Sequence, residues 1–397
     1  MRVLQICHKV PFPPNDGGTL ATYQLAKAMI TMGWKVKTLA ISTEKHPYHE
    51  MPLDSVFNST QIEYVKVDTA PKLPGLFKGL WTKNNYIVNR FNNDQFRELV
   101  KTTLEQNDFD LIVFEGTFTA PYIDLARDKS NAIMVMRSHN VEFQLWEDRI
   151  QNEENSLKRF LLRPQVNQLK DFELTEIKKF DVVATISMSD KAYFNSYVGL
   201  SKTAYIPFGI SLPNQDYVEE QVDNNIVFLG ALDWSPNIHG LTWFLEEVWP
   251  LILARNNKLT FTIGGRNAPE DFGKKLPENV RFVGAVNDAH SFILSGRIMV
   301  VPLFEASGIR IKIIEGLALG QIICTTTKGA QGIPAHNNQN ILITDNPKQM
   351  AREIADTIKS KEKLAQISHQ ARILAEKEFD ITKTQKALLE LVKTHKK

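Results

Sequence analysis

Short apolar runs bounded by turn residues alternate with longer stretches in which apolar side chains recur every three or four positions, and the alternation persists through both halves of the chain. That pattern predicts βαβ units and parallel sheets. In the first half it places strands near 3–7, 35–41, 61–65, 111–114, 133–137, 182–186 and 204–206, with helices between them. The stretch 155–180 has helical periodicity, and Pro164 is expected to kink or restart it. Around 207–225 the character changes to Pro, Gly, Asn and Asp with a run of acids, as in a linker. The pattern then begins again, with strands expected at 226–229, 259–263, 280–283, 298–302, 322–325 and 341–343 and helices at 237–255, 311–319, 347–360 and 363–378. Two doubly wound α/β domains follow, with the boundary near 212/213 and a ligand cleft expected where the carboxyl ends of their strands face each other.

Composition changes this picture little. A chain of 397 residues exceeds what one core usually serves, which agrees with two domains. Its 47 Lys and Arg nearly balance 45 Asp and Glu, so nothing in the overall charge favours nucleic acid, and any basic site must be local. Cys7 and Cys324 lie in apolar strand-like runs and read as reduced core thiols in a cytoplasmic protein. The amino terminus reads as a strand rather than a signal peptide, and no run of about 18 uncharged apolar residues suggests a spanning helix.

Four segments carry candidate chemistry. Gly17 and Gly18 follow the first strand and open a helix, where main-chain N–H groups can approach an anion; a tight turn needing positive φ is the alternative. Arg137, His139 and Glu142 follow a buried strand at its carboxyl end; His139 can orient an acceptor hydroxyl and Glu142 can bond sugar hydroxyls, or the histidine is an ordinary loop residue. Gly230 ends the second half's first strand, Asp233 and Trp234 lie in the loop beyond it, and Asn237 resembles an N-cap. The most specific segment runs from Glu305 through Ser307, Gly308, Ile309, Arg310, Lys312 and Glu315 to Gly320, a candidate helix stop. There a planar guanidinium, a point-charge ammonium and a helix start converge, as a leaving diphosphate requires, with Glu315 within reach of a ribose hydroxyl.

These residues, with Ile186-Ser187, Pro207-Phe208-Gly209-Ile210 and Lys328-Gly329-Ala330-Gln331-Gly332-Ile333, make the chain resemble glycosyltransferase family 4 over nearly its whole length. The segments Tyr86–Phe91 and Trp243–Pro250 resemble a bacterial subgroup acting on surface and exopolysaccharide sugars. The resemblance implies a GT-B fold of two Rossmann-like domains, residues 1–212 binding acceptor and residues 213–379 binding donor, with a helix over 380–397 crossing back to the first domain. It implies retention of configuration without a metal or other cofactor, a UDP- or GDP-linked sugar as donor, and a saccharide or lipid-linked acceptor. Glu315 matches the second glutamate of the family's paired motif. The register of the first holds Ser307, with Glu305 two residues upstream, and the family's usual Arg and Lys after the early strands of the second domain are missing. Arg310 and Lys312 are expected to replace them as catalytic diphosphate ligands, with the catalytic candidate His139 and the Gly17-Gly18 turn shaping the acceptor side. Either Glu305 reaches the donor sugar or main-chain N–H groups around Ser307 and Gly308 take that role, and Gly230, Asp233, Ile309 and Glu315 line the donor site. A nucleotide-sugar epimerase of the same fold, or a non-catalytic partner in a polysaccharide assembly complex, remains the alternative. Segment 71–83 mixes Lys72, Lys78 and Lys83 with Phe77 and Trp81, and is either a dock for the inner face of an anionic membrane or an ordinary surface loop.

Overall fold

A computed structural model of the chain describes residues 1–14, 16–48, 59–70, 85–151, 155–212, 224–305 and 308–395. Two compact units emerge, one comprising Met1–Gly209, Ser307–Ile309 and Ile381–Lys397, the other Ile210–Ala306 and Arg310–Asp380.

The first unit is built on seven strands: β1 (Arg2–Cys7), β2 (Lys35–Ser42), β3 (Glu63–Lys66), β4 (Leu111–Glu115), β5 (Ile133–Ser138), β6 (Val182–Thr185) and β7 (Thr203–Tyr205), in the order β3-β2-β1-β4-β5-β6-β7. Every pairing is parallel. Because successive side chains point to opposite faces, Leu4 and Ile6 enter one core with Ile112, Phe114, Met134 and Met136, while Val3 enters the other with Val113 and Val135. Burial on both faces explains why these strands read as continuous apolar runs.

Three helices of this unit bear on its polar sites. The first, α1 (Gly17–Thr31), begins at an Asp16 N-cap, with Asp16 and Thr19 forming a reciprocal capping box. After β5 come α2 (Glu142–Gln151) and α3 (Ser156–Glu176). The expected restart at Pro164 does not occur, since α3 runs through it. Proline's ring frees the carbonyl four residues earlier, here at Phe160, whose side chain is 73% exposed, so water can take that bond.

The second unit holds β8 (Asn225–Leu229), β9 (Thr260–Gly264), β10 (Val280–Gly284), β11 (Ile298–Val301), β12 (Ile322–Thr325) and β13 (Leu342–Ile343), ordered β10-β9-β8-β11-β12-β13 and again wholly parallel. The helix expected over 237–255 starts two residues earlier, as α4 (Ser235–Trp243), and passes through a π-helical turn, Phe244–Val248, before Trp249–Arg255. Pro250 accounts for the wide turn: its ring would clash with the Glu246 carbonyl of a regular helix. Asn237 is therefore inside α4 and Trp234 is the N-cap; Pro236, with φ preset for a first turn, moves the start upstream. Following β11 is α5 (Ile311–Ala318), which ends before Gly320 at φ +69°. Last comes α6 (Ile381–His395), whose Leu388, Leu391 and Val392 join Leu25 and Met29 of α1 in the first unit's core. Both cysteines are buried and free. Among the described residues no helix is long and apolar enough to cross a membrane.

In each sheet the chain winds outward in both directions from a central pair, β1/β4 in one unit and β8/β11 in the other. Loops leaving such a pair diverge to opposite sides and open a hollow at the strands' carboxyl ends, where ligands of these sheets bind. All four candidate segments follow these strands or their neighbour β5.

Candidate functional site

In the second unit, β8 is followed directly by Gly230, where a Cβ would fall 2.7 Å from the Asn237 amide nitrogen. The missing side chain lets buried Asn237 reach back from α4. Its Nδ2 donates to the Ala231 carbonyl at 2.9 Å, and its Oδ1 accepts from Lys312 Nζ at 2.9 Å. Lys312 Nζ also lies 3.3 Å from the Leu229 carbonyl and 5.2 Å from the Phe228 ring centroid. The ammonium of α5 is thus held against the end of β8 by neutral groups.

Arg310, only 6% exposed, occupies the N-cap position of α5, and among the described residues no side chain caps that helix start. One of its Nη atoms lies 3.5 Å from the Gln331 carbonyl. Burial and the neighbouring positive charge of Arg310 push Lys312 down to about 7. Two cations are therefore close together in a poorly solvated place, beside a helix end that favours negative charge. Gly308, at φ +70°, makes the left-handed bend just before them, and Ile309 is buried.

Both glutamates of this segment face histidines. His239 Nδ1 lies 3.0 Å from Glu305 Oε1, and His290 Nε2 lies 3.9 Å from Glu315 Oε1. The Glu315 carboxylate, opposed by burial and helped by Asp288, raises the His290 pKa. The first pairing depends on Gly240, where any Cβ would sit 1.5 Å from the Pro302 carbonyl oxygen, so α4 packs directly on the chain leaving β11. Asp233 is exposed and accepts from Asn267 Nδ2 at 3.2 Å. Ser307 lies outside the described residues, as does segment 71–83.

The first unit's site is of another kind. Glu115, at the end of β4 and 1% exposed, lies 2.8 Å from His139 Nε2 and accepts from Gln5 Nε2 at 2.7 Å and from Thr22 Oγ1 at 3.3 Å. Burial pushes its carboxyl up, but His139, Arg137 and Gln5 together hold it below the usual carboxylate range. His8 is 2.8 Å, through Nδ1, from the Glu115 carbonyl, and burial with help from Lys9 drives it down to about 3. It is therefore a neutral imidazole donating from Nδ1, with Nε2 left as acceptor. Gly116, at φ +87°, brings the chain past the His8 ring.

Gly17 and Gly18 are the first residues of α1, and neither has the positive φ a tight turn would need. At Gly18 the constraint is space, because a Cβ would stand 2.8 Å from Lys9 Nζ. That ammonium and His46 Nε2 both hold the Asp16 carboxylate, at 2.9 and 2.8 Å. Arg137 corrects the expectation of a charge presented at the strand end: it is 1% exposed and donates to the Ile206 carbonyl, because its β5 register turns it into the core. Glu142 departs too. Its carboxyl hydrogen-bonds Trp146, and burial with the nearby Glu173 carboxylate pushes it up to about 8. Glu173, buried on α3, caps α2 by accepting from the N–H groups of Glu142 and Phe143, both at 3.1 Å, and takes the Thr117 hydroxyl at 2.6 Å.

Two doubly wound units, each with polar residues gathered at its switch point, define the GT-B class of fold. Structures of similar architecture include sucrose-phosphate synthase from Thermosynechococcus elongatus (TM-score 0.72, 15% identity, 99% of this chain and 98% of that one). HepE from Anabaena, solved with UDP, is also similar (TM-score 0.64, 14% identity, 99% and 100% of the two chains). Residues 223–360, nearly all of them in the second unit, match the family model described as Glycosyl transferases group 1. An uncharacterized 44.6 kDa protein of the cps region of Klebsiella pneumoniae is 22% identical over 169 residues, or 40% of this chain and 43% of that protein.

Proposed function

We propose that this chain is a retaining, metal-independent glycosyltransferase that moves a sugar from a nucleoside diphosphate sugar to a saccharide or lipid-linked acceptor in the synthesis of a cell-surface polysaccharide. The observation that carries the reading is the Arg310–Lys312 pair at the start of α5, with Lys312 pushed down to about 7. Like charges brought together under burial are mutually unfavourable, and a bound dianion relieves both. Cleavage of the bond between anomeric carbon and phosphate oxygen places negative charge on the departing diphosphate, where preorganised cations and helix N–H groups act most strongly. Glu315 takes the ribose hydroxyls and Glu305 the sugar, each leaving its histidine to do so. In the first unit His139, fixed by Glu115, orients the acceptor hydroxyl, and no side-chain base is required because a donor phosphate oxygen accepts the proton.

The family match of residues 223–360 supports transfer over epimerisation or a non-catalytic role, and HepE solved with UDP and with UDP-glucose supports a uridine nucleotide as the first donor to try. Thermal-shift measurements with UDP, GDP and ADP test the reading directly. A ligand at about 100 times its Kd adds about 2.7 kcal/mol of stability, and the matching nucleotide sugar should then release nucleotide only when acceptor is present. Failure of all three nucleotides to raise the melting temperature overturns the donor site.

A further inference from the structure

The first unit has a second hollow, at the end of its sheet opposite Glu115 and His139. It measures about 640 Å³ and is lined by residues that lead into the strands: Asp108, Phe109 and Asp110 before β4, Asn131 before β5, and Ser201 and Lys202 before β7. Its size falls within the roughly 300–1,000 Å³ of small-molecule sites, and along β4 it lies about 16 Å from Glu115. The walls are tied together. Arg127 pairs with Asp181 at 2.9 Å and Lys129 with Glu105 at 3.3 Å. His395, in the last turn of α6, faces the carbonyls of Leu391 and Ser201 with its two ring nitrogens, at 2.9 and 3.1 Å. Polar capacity is left over inside these walls. Lys202 Nζ reaches only the Lys178 carbonyl, at 3.3 Å, and among the described residues the exposed side chains of Asp108, Asn131 and Ser201 make no hydrogen bond. The Phe109 ring, packed on the core and with the Arg2 guanidinium 5.9 Å from its centroid, adds apolar surface.

We propose that this hollow is a second saccharide site, which holds a neutral stretch of glycan away from the reacting groups; the choice of a glycan rests on the transfer proposed above. Charge selects the occupant. An anion would face Asp108 and Asp110 and a cation would face Arg127 and Lys202, whereas a hydroxyl both donates and accepts and suits either kind of partner. The carboxyl end of α6, the negative pole of that helix, adds to the case against an anion. A pyranose carries hydroxyls around its edge and C–H groups on its faces, so an aromatic ring beside acids, an amide and an ammonium matches it on both counts. Because the ion-paired walls are already ordered, little conformational freedom is lost when a sugar settles there.

Saturation-transfer NMR on the full chain without nucleotide tests this with glucose, galactose and mannose, each accompanied by its uronate and its amino sugar. At least one neutral hexose should bind in the millimolar range, and more tightly than its own charged derivatives. Asp108→Ala/Asn131→Ala should weaken that binding about ten-fold, and Ser201→Trp, which fills the hollow, should abolish it. All three positions are exposed, so melting temperatures should stay near the parent's; either variant decides the matter should the other fold poorly. His139→Gln, altered on the acceptor side, should bind the hexose like the parent. The proposal is overturned if no neutral hexose binds, if a charged derivative binds better, if the hollow variants bind like the parent, or if His139→Gln is the variant that loses the signal. Nucleotide binding by the same proteins reports separately on the donor site. A chain that binds nucleotide and no hexose loses this site alone, and one that binds a hexose here and no nucleotide loses the transfer reading alone.

Discussion

The two polar sites differ in how their charges are balanced. At the β1/β4 end, the hydrogen-bonding needs of Glu115 are met within the protein: an imidazole, an amide and a hydroxyl surround it. At the β8/β11 end, Lys312 lies beside Arg310 with an amide and a main-chain carbonyl as its partners. One site has its acid satisfied as folded, while the other holds two positive groups side by side. A completed site holds geometry, and a frustrated one holds binding energy for a ligand that changes charge during reaction.

Breaking the completed site should have the largest consequence for stability. His139→Ala leaves Glu115 buried without its main partner, and removing one member of a buried pair costs about 3–5 kcal/mol. Urea unfolding should show that loss, and turnover with the true acceptor should fall with it. His139→Gln, which can still donate to Glu115, should recover much of the stability and little of the turnover. If His139→Ala unfolds at the parent's urea concentration, the Glu115 network is not a closed unit.

Breaking the frustrated site should act on rate instead. Arg310→Ala is expected to lower kcat by about 10²–10³, the cost of removing one preorganised donor to a developing anion, or about 2.7–4 kcal/mol of barrier. Its melting temperature should stay near the parent's. Arg310→Lys should recover only part of the rate, since an ammonium lacks the guanidinium's planar fork. A melting temperature that fell in proportion to the rate would assign Arg310 to the fold instead.

The same contrast explains what could be read from the sequence. The strands were legible because parallel sheets covered on both faces demand unbroken apolar runs, and the grouping of Gly308, Arg310, Lys312 and Glu315 at the start of α5 was legible because these residues lie together in the chain. Glu115 was not, since an acid closing the run Leu-Ile-Val-Phe-Glu reads as a strand emerging into water. Only the parallel register, which sets Glu115 opposite Arg137, brings it inside. Glu173 likewise reads as one charge on a polar helix face, and its role as cap of α2 depends on a partner 31 residues away. His239 meets Glu305 across 66 residues, and the neighbouring contact of Gly240 with Pro302 spans a similar stretch of chain. Asn237 reads as an N-cap because its residue type favours one, and Pro236 moves the helix start upstream.

Lys312 sharpens the comparison with a smaller effect of opposite sign. Its pKa falls from 10.5 to about 7 on folding, so between those values the unfolded chain holds a proton that the native protein has released. Stability therefore declines as pH falls from about 10 toward 7 and levels off below. Lys312→Met removes that penalty and, despite losing the bond to Asn237, should stabilise the protein at neutral pH by roughly 0.5–2 kcal/mol while damaging catalysis, the usual exchange between a strained site and the fold. Nucleotide diphosphate bound beside the ammonium restores its proton, so calorimetry near pH 8 in buffers of different ionisation enthalpy should record uptake of up to one proton by the parent and none by Lys312→Met. Equal uptake by the two proteins would place the titrating group elsewhere, with His290 beside Glu315 the next candidate.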